Sequence, residues 1–164
     1  MPSARVTVLV SALALLAVVA LPTDLPGQST AGDVAIVVHP ETPADSMTLV
    51  EVRKVFRGER QYWTPSNIPV VLLVRAPVAR ERDVVLRVIY QMSEPQFKQY
   101  WIARIFRAEA TSGPKIVYSN DVANQLAGAI PGAEGFMPAG EVNPPLKILR
   151  VEGKLPGEPG YLIR

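Results

Sequence analysis

Residues 70–91 read VVLLVRAPVARERDVVLRVIYQ, and this stretch decides the fold class. Its first five residues, Val70 to Val74, carry no polar side chain, a run suited to a strand covered on both faces. Arg75 and Pro77 end that run. From Arg80 the period changes. Val84, Val85, Val88 and Ile89 recur at helical spacing, so the sequence predicts a helix over 80–91 with one apolar stripe. A buried strand feeding a one-sided helix is the building unit of an α/β domain.

Outward from this unit the same alternation continues. Val34-Ala35-Ile36-Val37-Val38 reads as another buried strand, ended by Pro40 and Pro43 because proline cannot continue a ladder. Thr48 with Glu51 three residues later is a capping box. It opens a helix that places Leu49, Val52, Val55 and Phe56 on one side and stops at Gly58. Residues 61–69 read as a loop holding Tyr62 and Trp63. Ser93 caps a further helix, with Pro95 in its first turn. Along that helix Phe97, Tyr100, Trp101, Ile105 and Phe106 are spaced as core-facing residues. Residues 116–118 read as a short strand, Ser119 as the cap of a helix to about 127, and 128–135 as a glycine-rich turn. Residues 134–137 and 146–151 read as strands. The proline- and glycine-rich residues 153–164 form an extended tail.

At the N-terminus Arg5 precedes residues 6–21, which carry no charge and only Thr7 and Ser11 as polar residues. A basic start, a short apolar stretch and a following proline/glycine/serine segment are the layout of a secretory signal. The reading is a signal over 1–20, a flexible lead-in over 21–32, and a periplasmic or secreted protein. An uncleaved anchor is the alternative, disfavoured because the run falls short of the roughly 20 residues a spanning helix needs. The 164-residue chain suffices for one domain, expected over 33–152. With no cysteine, disulfides, lipid-modified cysteine and thiolate metal sites are excluded. The net charge is +2, and loss of Arg5 with the signal leaves +1. The basic residues are scattered, which argues against nucleic acid as a partner.

The order of these elements, with the residues at their joints, resembles the phosphate-type family of periplasmic solute-binding proteins. Four stretches carry the resemblance: the proline-broken strand end at 34–43, the helix end Phe56-Arg57-Gly58 followed by Trp63, the strand ending at Arg75, and Gly132-Ala133-Glu134-Gly135-Phe136, which is similar to the family's Gly-Ala-Ile-Gly-Tyr turn. Residues 96–106, with Tyr100-Trp101 and Phe106, resemble the short, single-lobe members. The resemblance implies a single lobe of a type II periplasmic-binding-protein fold, with a mixed sheet flanked by helices. It also implies a non-enzymatic role without cofactor or metal, an inorganic oxyanion (phosphate by preference) as ligand, and an envelope protein or ABC permease as partner.

The family's ligand set is an arginine after the second strand, followed four residues later by Ser-Gly-Thr at a helix start. Arg75 matches the arginine, whereas Ala79-Arg80-Glu81 stands in the Ser-Gly-Thr positions. Alanine cannot donate to a phosphate oxygen as serine would, and Glu81 repels anions. The candidate ligand residues are therefore Arg75, Ala79, Arg80 and Glu81. For Arg75 a second reading stands beside the first: an arginine at a strand end paired with a surface carboxylate. Arg80 and Arg82 read as solvated helix charges. His39, the only histidine, reads as a surface loop residue without a catalytic partner. Trp63, in its loop, is a candidate for a partner surface, while the resemblance implies that it packs over the lobe. Two functions follow: an oxyanion-binding lobe linked to phosphate ABC transport, or a degenerate lobe that serves as a protein-interaction or scaffold module in the cell envelope.

Overall fold

Along the chain the elements are β1 (Val34–Val38), β2 (Ser46–Met47), α1 (Leu49–Phe56), β3 (Tyr62–Trp63), β4 (Ile68–Pro69), β5 (Val71–Arg75), α2 (Arg80–Val85), α3 (Glu94–Phe106), β6 (Lys115–Val117), α4 (Asn120–Ala129), β7 (Ala133–Pro138), β8 (Lys147–Ile148) and β9 (Arg150–Val151). This computed structural model describes residues 32–164, so the expected signal and, Gly32 apart, the lead-in lie outside the described residues. No helix among the described residues is long and apolar enough to cross a membrane.

Five strands form one mixed sheet in the order β6-β5-β7-β1-β8. β5 runs parallel to both β6 and β7, and β1 is antiparallel to β7 and β8. The continuous apolar runs of β1 and β5 follow from this placement, because inner strands of such a sheet are covered on both faces. The period of two then divides their side chains. Ile36, Val38, Leu72, Val74 and Phe136 face one layer with Val52, Phe56, Val85, Ile89, Tyr90, Phe97 and Trp101. Ala35, Val37, Leu73 and Met137 face the other with Ala123 and Ala127 of α4.

The local start signals operate as read. Thr48 and Glu51 form a reciprocal capping box, Ser93 and Gln96 form another, and the Ser119 hydroxyl accepts the Val122 N–H. Four expectations are corrected. The helix over 80–91 is α-helical only to Val85. Leu86–Tyr90 is a π-helical turn closed by Gln91 at φ 56°, a wider turn that buries both Ile89 and Tyr90. On α3 only Phe97 and Trp101 are buried. Ile105 is partly exposed and Phe106 is 91% exposed, because the apolar stripe outlasts the layer it packs on. Trp63 lies in the core, not on a partner surface, with its Nε1–H donating to the Gly132 carbonyl at 2.9 Å. His39 is buried, its Nδ1 accepting the Glu41 N–H at 3.2 Å.

The tail is not peripheral. Tyr161 and Ile163 are buried, Val34 N–H donates to the Ile163 carbonyl, and Tyr161 Oη donates to the Val34 carbonyl. The final residues thus close over the start of β1.

Gly132 opens β7 with φ at +81°, and a Cβ there would stand 2.1 Å from the Pro69 carbonyl oxygen. Both the backbone angle and the contact require glycine. Gly132→Ala is expected to lower stability by about 2 kcal/mol, which chemical denaturation would measure; an unchanged midpoint would contradict the packing described.

Candidate anion site at the end of the central strand

β5 delivers Arg75 to the C-terminal end of the parallel strands, the edge where open α/β sheets bind ligands. The loop 76–79 then turns the chain into α2, with Ala79 as N-cap. Ala79 offers no side-chain cap, and its carbonyl accepts the Arg82 N–H. Sequence placed Arg75 and Glu81 together, and the structure does bring them together, as an ion pair. Arg75 Nε donates to Glu81 Oε1 at 2.8 Å and Arg75 Nη1 donates to the Val117 carbonyl at 3.0 Å. Both residues are buried. The carboxylate facing the guanidinium is therefore the chain's own. Arg80 turns elsewhere: both its terminal nitrogens donate to the Gly32 carbonyl at 3.0 Å.

Arg82, expected to be a solvated charge, is 2% exposed. Its Nη1 donates to the Arg75 carbonyl, and its Nε and Nη2 make a bidentate pair with Glu94 at 2.9 Å. The guanidinium also lies 4.8 Å from the centre of the Phe97 ring, a stacking geometry that suits a weakly hydrated planar cation. The hydrogen bond from Arg82 holds the Glu94 carboxyl below its usual range, against the opposing effect of burial. The end of β5 is thus a closed electrostatic unit: two arginines, each met by a carboxylate of the same chain. Nothing local in the sequence joins Arg82 to Glu94, which lies twelve residues on at the first position of the next helix.

A second polar anomaly lies inside the sheet. Glu134 of β7 is fully buried between Val38 of β1 and Leu72 of β5, and neither of its carboxylate oxygens has a hydrogen-bond partner among the described residues. Burial pushes its carboxyl well above the ordinary value, opposed by the charge of Arg60. Tyr90 Oη and Trp101 Nε1, in the same core layer, are likewise buried without partners among the described residues. A sequence signal for this existed: Glu134 alternates with Phe136, so a buried Phe136 places the carboxyl on the helix-covered face. Nearby, Arg60, Tyr62, Leu72, Trp101, Thr111 and Lys115 help to line a pocket of about 220 Å³. That is smaller than the usual range for small-molecule sites, roughly 300–1,000 Å³, and none of the four candidate ligand residues lines it.

Comparison with known proteins agrees with the architecture. No protein-family model matches the chain, and no curated protein matches its sequence. Solved structures do match. An ABC-type phosphate transport receptor from Vibrio cholerae aligns at TM-score 0.60 and 17% identity over 76% of this chain and 48% of that one. A putative phosphate ABC transporter substrate-binding protein from Clostridium perfringens, solved with bound phosphate, aligns at TM-score 0.61 and 17% identity over 76% and 46%. PstS from Borrelia burgdorferi aligns at TM-score 0.58 and 14% identity over 76% and 49%. The first of these is a transport receptor and the second a substrate-binding protein. The chain spans about half the length of the solved structures it matches, and over that span it has the fold of a lobe of the phosphate-type solute-binding proteins.

Proposed function

We propose that this chain is an exported solute-binding-protein lobe that has exchanged its anion for a protein partner and serves as a docking module in the cell envelope. The Glu81 carboxylate on Arg75 carries this reading. A bound oxyanion would have to displace a buried carboxylate at 2.8 Å, in a site where Ala79 supplies no hydroxyl. Like charges at such a distance exclude each other in a poorly hydrated site. The surface supports the same reading. Ile102, Ile105 and Phe106 form an exposed apolar stripe on α3, and Val78 and Tyr118 are exposed at the strand ends; grouped apolar exposure of this kind marks interaction surfaces. Export rests on the signal read over residues 1–20.

A second reading keeps the oxyanion, phosphate by preference and in service of an ABC permease. It is favoured by the bound phosphate of the Clostridium perfringens neighbour and by the second terminal nitrogen of Arg75, which makes no hydrogen bond among the described residues. Here Arg75 and the chain at Ala79, Arg80 and Glu81 would form the ligand contacts once Glu81 swung away.

Calorimetric and thermal-shift titration with phosphate, sulfate and molybdate separates the two. The docking reading expects neither heat nor stabilisation at millimolar anion. A saturable stabilisation that disappears in Arg75→Met would replace it with the second.

A further inference from the structure

We propose that the lobe carries a separate ligand pocket, at the end of the central strand opposite Arg75, that takes a small organic carboxylate on Arg60. The site goes beyond the docking and oxyanion readings and depends on neither.

The pocket of about 220 Å³ lies at the start of β5, whose Val71 and Leu72 line it, whereas Arg75 ends that strand. Its inner wall is apolar, because Val55 of α1, Leu72 and Trp101 of α3 are all buried. Its polar groups come from two segments, Arg60 and Gln61 after α1 and the loop 110–113 before β6. Gln61 Nε2 donates to the Glu109 carbonyl at 3.0 Å and ties the first segment to the start of the second. Two basic residues line the pocket, Arg60 and Lys115, and no acidic one does.

Arg60 stands apart from the other arginines. Each of the others from Arg53 to Arg150 donates a side-chain hydrogen bond, whereas the Arg60 guanidinium donates none among the described residues. Its ion pair is with Glu51 at 3.9 Å, between two partly exposed side chains, a contact of little energy. Glu51 is already committed to the capping box, where its Oε2 accepts the Thr48 N–H at 2.8 Å and the Thr48 hydroxyl at 2.9 Å. The charge of Arg60 also reaches Glu134, but burial holds that carboxyl toward its neutral form. Lys115 shares its strand face with Val117, on the α4 side, so it adds positive potential at the rim and leaves Arg60 as the anchor.

The loop supplies further donors. The backbone N–H groups of Ala110, Thr111, Ser112 and Gly113 donate to no backbone carbonyl among the described residues, and Thr111 and Ser112 add two hydroxyls. Donors beside a planar cation that lacks a close carboxylate select an acceptor-rich anion, which a guanidinium holds bidentately. The apolar wall decides which anion. An inorganic oxyanion is hydrated on every side and gains nothing from Val55, Leu72 and Trp101. A carboxylate with a short aliphatic or single-ring body removes that body and the wall from water together. The pocket is smaller than most small-molecule sites, which keeps the body short.

The test is an amide-resolved NMR titration of the isotope-labelled full chain with benzoate, with benzamide and sulfate as comparators. Benzoate is expected to shift the amides of 111–113 and the Trp101 indole saturably, with a dissociation constant on the order of 1 mM for so small a ligand. Benzamide has the shape without the charge and sulfate the charge without the body. Each should bind about tenfold more weakly. Arg60→Gln should weaken benzoate about tenfold, whereas Arg87→Gln, outside the pocket, should leave it unchanged. The comparators need no variant, so the test holds even if Arg60→Gln fails to fold. No saturable shift at those positions, equal binding of benzamide or sulfate, benzoate binding that survives Arg60→Gln, or equal loss in Arg87→Gln overturns the proposal. Phosphate bound at Arg75 would instead shift the amides of 76–81, so the oxyanion reading stands or falls separately.

Discussion

Glu134→Gln is expected to make the protein more stable at neutral pH and to flatten its stability against pH. The carboxyl is fully buried, neither oxygen receives a hydrogen bond from the described residues, and its folded-state pKa is raised well above the ordinary value by burial. In the unfolded chain a glutamate titrates near 4.3. The sign follows from linkage. Below about pH 4.3 the carboxyl is protonated in both states and costs nothing extra. As pH rises above that value the unfolded chain ionises while the folded chain stays protonated, and stability falls until pH reaches the raised folded pKa. Each pH unit of that interval removes about 1.4 kcal/mol of stability. The groups that bear on Glu134 are Arg60, whose charge opposes the shift, and Tyr90, whose own ionisation burial and the Glu134 charge push upward. Glutamine keeps the shape without the proton equilibrium. Denaturation midpoints of the two proteins between pH 4 and 9 should converge in acid and separate toward neutrality, and parallel curves would show that Glu134 titrates normally.

Glu134 also shows how far such a residue could be read in advance. The strand itself was legible from Phe136 and Met137, and so was its face, since alternation puts residue 134 beside 136. That the face would be dry was not, because the cover comes from α1, the π-helical turn and α3, distant in the chain. The same division holds elsewhere. The capping pairs Thr48 with Glu51 and Ser93 with Gln96 were legible because both partners lie within one turn. The alternation of apolar strands with one-sided helices was legible because period alone fixes it. Phe106 was misread because period says which side of a helix is apolar, not where the layer beneath it ends. The burial of Arg82, and the choice between a surface and a packed Trp63, were not legible for the converse reason: Glu94, Phe97 and the Gly132 carbonyl, which make that burial tolerable, are brought in by tertiary structure. At the candidate site Arg75 and Glu81 lie side by side while Arg80 turns to Gly32, and the tertiary packing that sets whether Arg75 looks out to a ligand or in to Glu81 is not local to the sequence.

That inward pairing yields the second large effect. Glu81→Ala leaves Arg75 buried with its counter-charge removed, and breaking a buried pair from one side costs about 3–5 kcal/mol because the remaining charge is uncompensated. The Val117 carbonyl still accepts from Nη1, which favours the lower end of that range. The variant also vacates the position an external anion would need. Phosphate should therefore stabilise Glu81→Ala and not the parent, by about 2.7 kcal/mol at a hundredfold excess over the dissociation constant. The double variant Arg75→Met, Glu81→Leu supplies the control. With both charges gone and apolar volume in their place, most of the lost stability returns, and phosphate has nothing to bind. Denaturation of the three proteins with and without phosphate reads all of this at once. Equal stabilisation of parent and Glu81→Ala would mean that the carboxylate is a movable gate over a working anion site. A loss below about 1 kcal/mol in Glu81→Ala would place the pair among ordinary surface bridges and remove the physical basis for a lobe that carries its own anion.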